Sequence, residues 1–163
     1  MNRDLNSWEF RTVRGYQLME HNKGKLTSAM EDYLEMICRN SLKDGYLRIN
    51  RLAELLNVKA SSASKMVQKL GDLGLLKYEK YGIIILSDNG RELGQFLLER
   101  HRIIEEFLSF LGCGEDVLEQ TELIEHNINV DTVEKLKILN SFFSSNKDVA
   151  ERFEEYKKEI SMR

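Results

Sequence analysis

Glu122, Glu125 and His126 fall within five residues, and positions three and four apart share one face of an α-helix. Two carboxylates and an imidazole pointing one way make either a solvated charged stripe, the commoner outcome for such a triplet, or most of a metal site. Asp32 and Glu35 repeat the three-residue spacing upstream, and His101 sits near the middle of a long segment of helical apolar periodicity. Carboxylate and imidazole suit hard to borderline divalent cations. Read together, the three segments are expected to converge on metal. Cys38 and Cys113 are isolated and form no CxxC pair. Cys38 reads as a small buried hydrophobe, and Cys113 as exposed.

The elements that must position these side chains follow from periodicity. Met30, Tyr33, Leu34, Met36 and Ile37 recur at helical spacing over 29–42, with Thr27 or Ser28 as the N-cap. After an extended piece at Leu47-Arg48-Ile49, Asn50 can cap a helix carrying Leu52, Ala53, Leu55 and Leu56. A turn through Asn57-Val58-Lys59-Ala60 leads to Ser61, a second cap, and to a helix with Met66, Val67 and Leu70 turned inwards. Two short helices joined by a tight turn make a helix-turn-helix. Beyond Gly74, residues 75–80 and 83–86 read as strands around Tyr81-Gly82, a small β-hairpin. Helix-turn-helix plus hairpin is a winged helix, whose second helix enters the major groove. Its outward residues are Ser61, Ser62, Ser64, Lys65, Gln68 and Lys69, types that contact base edges and phosphates. Lys77, Lys80 and Tyr81 would set the wing against the DNA backbone. A winged helix can also dock protein, but no acidic residue interrupts 61–69, which favours DNA.

Charge is divided in the same sense. Residues 1–42 are neutral, 43–102 carry +4 and 103–163 carry −7, so the net −3 hides a basic middle and an acidic tail. A long helix from about Asn89 to Leu111 is followed by helices near 115–127, 132–144 and 148–160. Helices this short with so much apolar surface need a second surface to bury it, and a symmetric homodimer supplies one that matches a two-fold DNA site. The expected fold is mainly α. An extension of unassigned role (1–27) precedes an N-terminal winged helix-turn-helix with a small β-hairpin wing (28–98), then an all-helical metal-binding and dimerisation domain (99–163). No apolar run is long enough to span a bilayer and no signal peptide opens the chain, so a cytoplasmic location without membrane contact is expected.

Ser28-Ala-Met-Glu-Asp-Tyr-Leu-Glu35, SSASKMVQKL at 61–70, YEKYG at 78–82, ERHRIIEEFL at 99–108 and ELIEH at 122–126 together resemble the manganese transport regulators. These form one branch of the bacterial DtxR-type metal-dependent repressors. The resemblance covers about 27–145; the extension and the terminal helix after about 145 lie outside it. It implies a homodimer that binds palindromic operator DNA when metal-loaded and represses metal-uptake genes. It places the metal ligands on Asp32, Glu35, His101, Glu122, Glu125 and His126. The iron-responsive branch tends to have Met at the position of Asp32 and Cys at that of Glu122. It also usually adds an SH3-like domain, for which this chain is expected to have no room.

Four carboxylates and two imidazoles suit Mn(II), with Fe(II) as the alternative, and four negative charges would balance two cations per chain bridged by Glu122 and Glu125. Asp32 and Glu35 belong to the DNA-binding domain and the other four lie beyond the wing. Metal is therefore expected to narrow the range of domain orientations and preorganise the dimer for DNA. Activation of transcription rather than repression, an iron-responsive repressor and a metal-independent winged-helix regulator remain the other regulatory readings. An enzyme is not expected: di-iron bundles need a repeated Glu-x-x-His, and the sequence contains no nucleophile elbow or phosphate loop.

Overall fold

The computed structural model describes residues 14–162. Trp8, Phe10 and Val13 of the extension lie outside them. The chain divides into two compact units, Met1–Glu99 and Arg100–Arg163, with the boundary inside a long helix.

In the first unit, residues 14–21 form helix α1. Gly15 packs so closely on Phe96 that an added Cβ would lie 2.6 Å from the ring-bearing carbon, and Arg14 Nε sits 2.9 Å from Glu92 Oε2. Helix α2 (Ser28–Ser41) starts at Thr27, whose hydroxyl accepts from the Met30 amide at 3.3 Å, as the sequence predicts. Its inward face carries Leu34, Ile37 and Cys38, all fully buried.

Strand β1 (Leu47–Arg48) leads into α3 (Ile49–Leu55) and α4 (Ala60–Asp72), the expected helix-turn-helix. Both helices begin two residues early. Asn50 and Ser61, expected as caps, lie inside the first turns, while Arg48 and Lys59 hold the cap positions without side-chain hydrogen bonds. Asn57 turns the chain out of α3 at φ 52°, a backbone region that short amide side chains tolerate. On α4 the buried stripe is Ala63, Val67 and Leu70; Met66, expected inside, is only half-buried. Ala63 takes the inward place because it lies one turn before Val67 and two before Leu70.

Strands β2 (Leu76–Glu79) and β3 (Ile83–Leu86) form the hairpin, with Leu76 opposite Leu86 and Glu79 opposite Ile83. β1 pairs antiparallel on the other side of β3, giving the order β1-β3-β2 rather than a two-stranded wing. Alternation along β3 buries Ile84 and Leu86. Ser87 then starts α5 (Asp88–Leu111): its hydroxyl accepts from the Gly90 amide at 3.0 Å and donates to the Gly74 carbonyl at 2.8 Å. Gly94 lets α5 approach α2, since a Cβ there would meet Cys38 Cβ at 2.7 Å and Sγ at 2.9 Å.

The second unit contains the rest of α5 and three further helices, α6 (Val117–Glu125), α7 (Val130–Ser145) and α8 (Lys147–Ser161). Asn129 caps α7 by accepting from the Thr132 amide at 2.8 Å. Phe110 of α5 stacks on Phe143 of α7 and Phe153 of α8, with centroids 4.1 and 5.0 Å away. Lys157 of α8 donates to the carbonyls of Phe110 and Leu111, both at 3.3 Å, and so closes the end of α5. Winged helix-turn-helix followed by a helical unit is the architecture the sequence predicts. Among the described residues no helix is long and apolar enough to cross a membrane.

Candidate metal centre and nucleic-acid interface

Helix α6 is short, and His126 is its C-cap, so Glu125 and His126 sit on its last turn. Thr121 holds that helix inwards: it is fully buried and donates its hydroxyl to the Val117 carbonyl at 2.7 Å. His101 reaches the same place from α5. Its Nδ1 lies 3.0 Å from Glu125 Oε2, and His126 Nε2 lies 3.9 Å from Glu125 Oε1. The Glu125 side chain is 3% exposed, with His101 at 11% and His126 at 15%. A buried carboxylate is costly without a charge or donor against it. Here an imidazole nitrogen faces each oxygen, so one anionic oxygen donor and two nitrogen donors converge in a largely dry place. That set fits a divalent cation of hard to borderline character. Arg100, 3% exposed, brings a guanidinium nitrogen to 3.5 Å from His126 Nδ1. Glu122 stands one turn earlier on α6 and is exposed.

In the first unit, Asp32 and Glu35 occupy neighbouring turns of α2. Asp32 is exposed; Glu35 is half-buried and accepts from Arg39 Nη2 at 2.6 Å. Neither Arg39 nor Arg100 was singled out from the sequence. The four-residue step from Glu35 to Arg39 is legible there, whereas a buried arginine beside His101 carries no sequence signal.

On the DNA-facing side, Ser61, Ser62, Lys65, Gln68 and Lys69 of α4 are exposed. Ser64 is half-buried and its hydroxyl pairs with Tyr78 Oη at 3.1 Å, tying α4 to the wing. Lys77 is exposed on β2, and Lys80 and Tyr81 are exposed at the hairpin turn. Tyr81 is left-handed at φ 62°, ψ 21° and is 90% exposed. Gly82 beside it is required, because a Cβ there would lie 2.6 Å from Ile49 Cγ2. An exposed aromatic in a strained conformation is a feature that functional sites retain.

Residues 25–84 match the family described as iron dependent repressor, N-terminal DNA binding domain. Residues 87–154 match iron dependent repressor, metal binding and dimerisation domain. A protein of Oceanobacillus iheyensis described as HTH-type transcriptional regulator MntR is 38% identical over 135 residues, 82% of this chain and 90% of the relative. The chain belongs to the DtxR-type metal-dependent repressors, in the manganese transport regulator branch. A second such regulator, from Listeria welshimeri, is 38% identical over 126 residues, 77% of this chain and 89% of the relative. Among solved structures, the manganese regulator SloR is 35% identical with a TM-score of 0.59, over 68% of this chain and 53% of that one. The metal-dependent transcriptional regulator MtsR is 31% identical with a TM-score of 0.62, again over 68% and 53%. The chain thus spans about half the length of those solved proteins. As a DtxR-type repressor it joins a DNA-binding domain to a domain for divalent metal and dimerisation. α1 precedes the first matched domain, and the second ends at residue 154, inside α8.

Proposed function

We propose that this DtxR-type repressor is manganese-responsive: it binds palindromic operator DNA as a homodimer when loaded with Mn(II), repressing genes of metal uptake in the cytoplasm. The observation that carries the metal reading is Glu125, a buried carboxylate with His101 and His126 facing its two oxygens. The relatives described as MntR and the manganese regulator SloR support manganese as the metal. The proposed ligands are Asp32, Glu35, His101, Glu122, Glu125 and His126, with two ions per chain. When bound, the cations would supply positive charge that offsets the clustered carboxylates. Glu125 would bring both its oxygens to that charge, and His101 and His126 would offer neutral ring nitrogens. Because two ligands come from α2 and four from α5 and α6, ligation would couple the order of the DNA-binding unit to that of the dimerisation unit. Fewer accessible orientations reduce the cost of setting two α4 helices into successive major grooves. Ser61, Ser62, Ser64, Lys65, Gln68 and Lys69 would meet base edges and phosphates, with Lys77, Lys80 and Tyr81 holding the wing to the backbone.

The test is Mn(II) bound per chain at equilibrium, by paramagnetic resonance, with DNA affinity measured with and without Mn(II) on regions upstream of metal-uptake genes. Two ions per chain and a large metal-dependent gain are expected. No bound metal and equal affinities would leave a metal-independent winged-helix regulator.

A further inference from the structure

The Arg39 guanidinium lies 2.6 Å from Glu35 Oε1, and the Glu35 side chain is 13% exposed while that of Arg39 is 51% exposed. The pair sits one helical turn apart on α2 with the acid N-terminal to the base, the favourable orientation. We propose that Arg39 is a competing counter-cation that raises the metal concentration at which Glu35 can ligate, and so sets the threshold of the response. The proposal rests on Glu35 being a metal ligand.

Three features make the competition specific. Glu35 Oε1 accepts from the guanidinium, so a cation ligated through that oxygen must displace Arg39 or share the oxygen with it. Its exposure lets it turn into water, where the guanidinium is well solvated, so it delays ligation without forbidding it. Arginine does not lose its proton in proteins, so the competitor stays charged at every pH where carboxylates bind metal. A guanidinium also has no preference among divalent ions. Arg39 should therefore shift the affinities for different metals together and leave their order unchanged. An exposed ion pair of this spacing contributes little to stability, so its removal should leave α2 folded.

The experiment compares Arg39→Met, Arg39→Lys and Glu35→Gln in the full chain, titrated with Mn(II) by paramagnetic resonance and with Co(II) by its visible absorption. Circular dichroism checks the fold. Arg39→Met should tighten both metals by the same factor, about two- to tenfold given the strength of exposed ion pairs and the removal of one nearby positive charge. Arg39→Lys should stay nearer the parent. Raised salt, which screens the pair, should narrow the gap between Arg39→Met and the parent. An unchanged or weaker affinity in Arg39→Met would overturn the proposal, as would a gain for one metal alone. Glu35→Gln separates the two layers of reasoning. If it binds Mn(II) like the parent, Glu35 is not a ligand and the site itself is wrong. If it binds poorly while Arg39→Met is unchanged, the site stands and the competition falls.

Discussion

Replacing Tyr81 with glycine should make the protein more stable and a poorer DNA binder. Tyr81 sits at φ 62°, ψ 21° with 90% of its surface exposed, so its side chain contributes almost no burial to offset the backbone conformation. Left-handed backbone costs a non-glycine residue about 1–2 kcal/mol. Glycine removes that cost but adds freedom to the unfolded chain, about 0.4–1 kcal/mol. The net gain is roughly 0.5–1 kcal/mol, a rise in Tm of about 1–4 °C for a chain of this size. Removing the phenol from the wing should weaken DNA binding by about 1 kcal/mol, roughly fivefold, what one hydrogen bond to a backbone phosphate contributes net of solvation. No charge is removed, so the dependence of affinity on salt should keep its slope. Lys80→Ala should instead flatten that slope by about 0.9 for each phosphate that the ammonium group neutralises. Thermal denaturation and fluorescence anisotropy on labelled operator DNA, over a series of salt concentrations, read both effects. A lower Tm for Tyr81→Gly would refute the strain, and an unchanged affinity would take Tyr81 out of the interface.

Glu122→Ala should abolish metal-activated DNA binding while circular dichroism and sedimentation show an intact dimer; unchanged activation would remove Glu122 from the ligand set. Burial pushes the Cys38 thiol up from an ordinary 9.0 to about 11, despite the opposing Arg91 charge. Its stabilising contribution is complete below pH 9 and fades as pH rises towards 11. Alkaline denaturation should therefore be milder in Cys38→Ala, whose own cost appears at neutral pH, and an identical alkaline slope would count against it. Lys157→Met should lower the Tm by about 1–4 °C, because the end of α5 would be without a cationic cap that contributes about 0.5–1 kcal/mol. A methyl group at Gly90 would overlap the Leu75 carbonyl oxygen, a backbone atom that cannot swing aside, so Gly90→Ala should cost about 1–3 kcal/mol in urea denaturation. A midpoint equal to the parent's would mean that α5 can shift along the sheet.

The winged helix was legible because its punctuation is local. Gly74, Tyr81-Gly82 and the apolar spacing of 52–56 and 67–70 each specify a turn or a face without help from distant residues. Where reading failed, the deciding neighbour was remote. The phase of α4 depends on Ala63 meeting the rest of the first core, and alanine carries too little hydrophobic signal to compete with Met66 in a periodicity. Leu47–Arg48 is too short to declare itself a strand until β3 offers it a partner. Helix starts moved by two residues because Asn50 and Ser61 look like caps, yet the fold uses Arg48 and Lys59 there. Within the second unit, the closeness of His101 and Glu125 joins residues 24 apart in sequence. Their chemical types suggested the meeting, but only the packing of α5 and α6 creates it.

Helix α1 has a consequence for how relatives of this chain can differ. Phe96 is 5% exposed, and Gly15 rests directly on it. A shorter homologue beginning near residue 25 would uncover that ring and leave an adhesive spot open to water. The length of the leader and the hydrophobicity at position 96 should therefore be inherited together: lineages that drop the first should have traded the second for something polar.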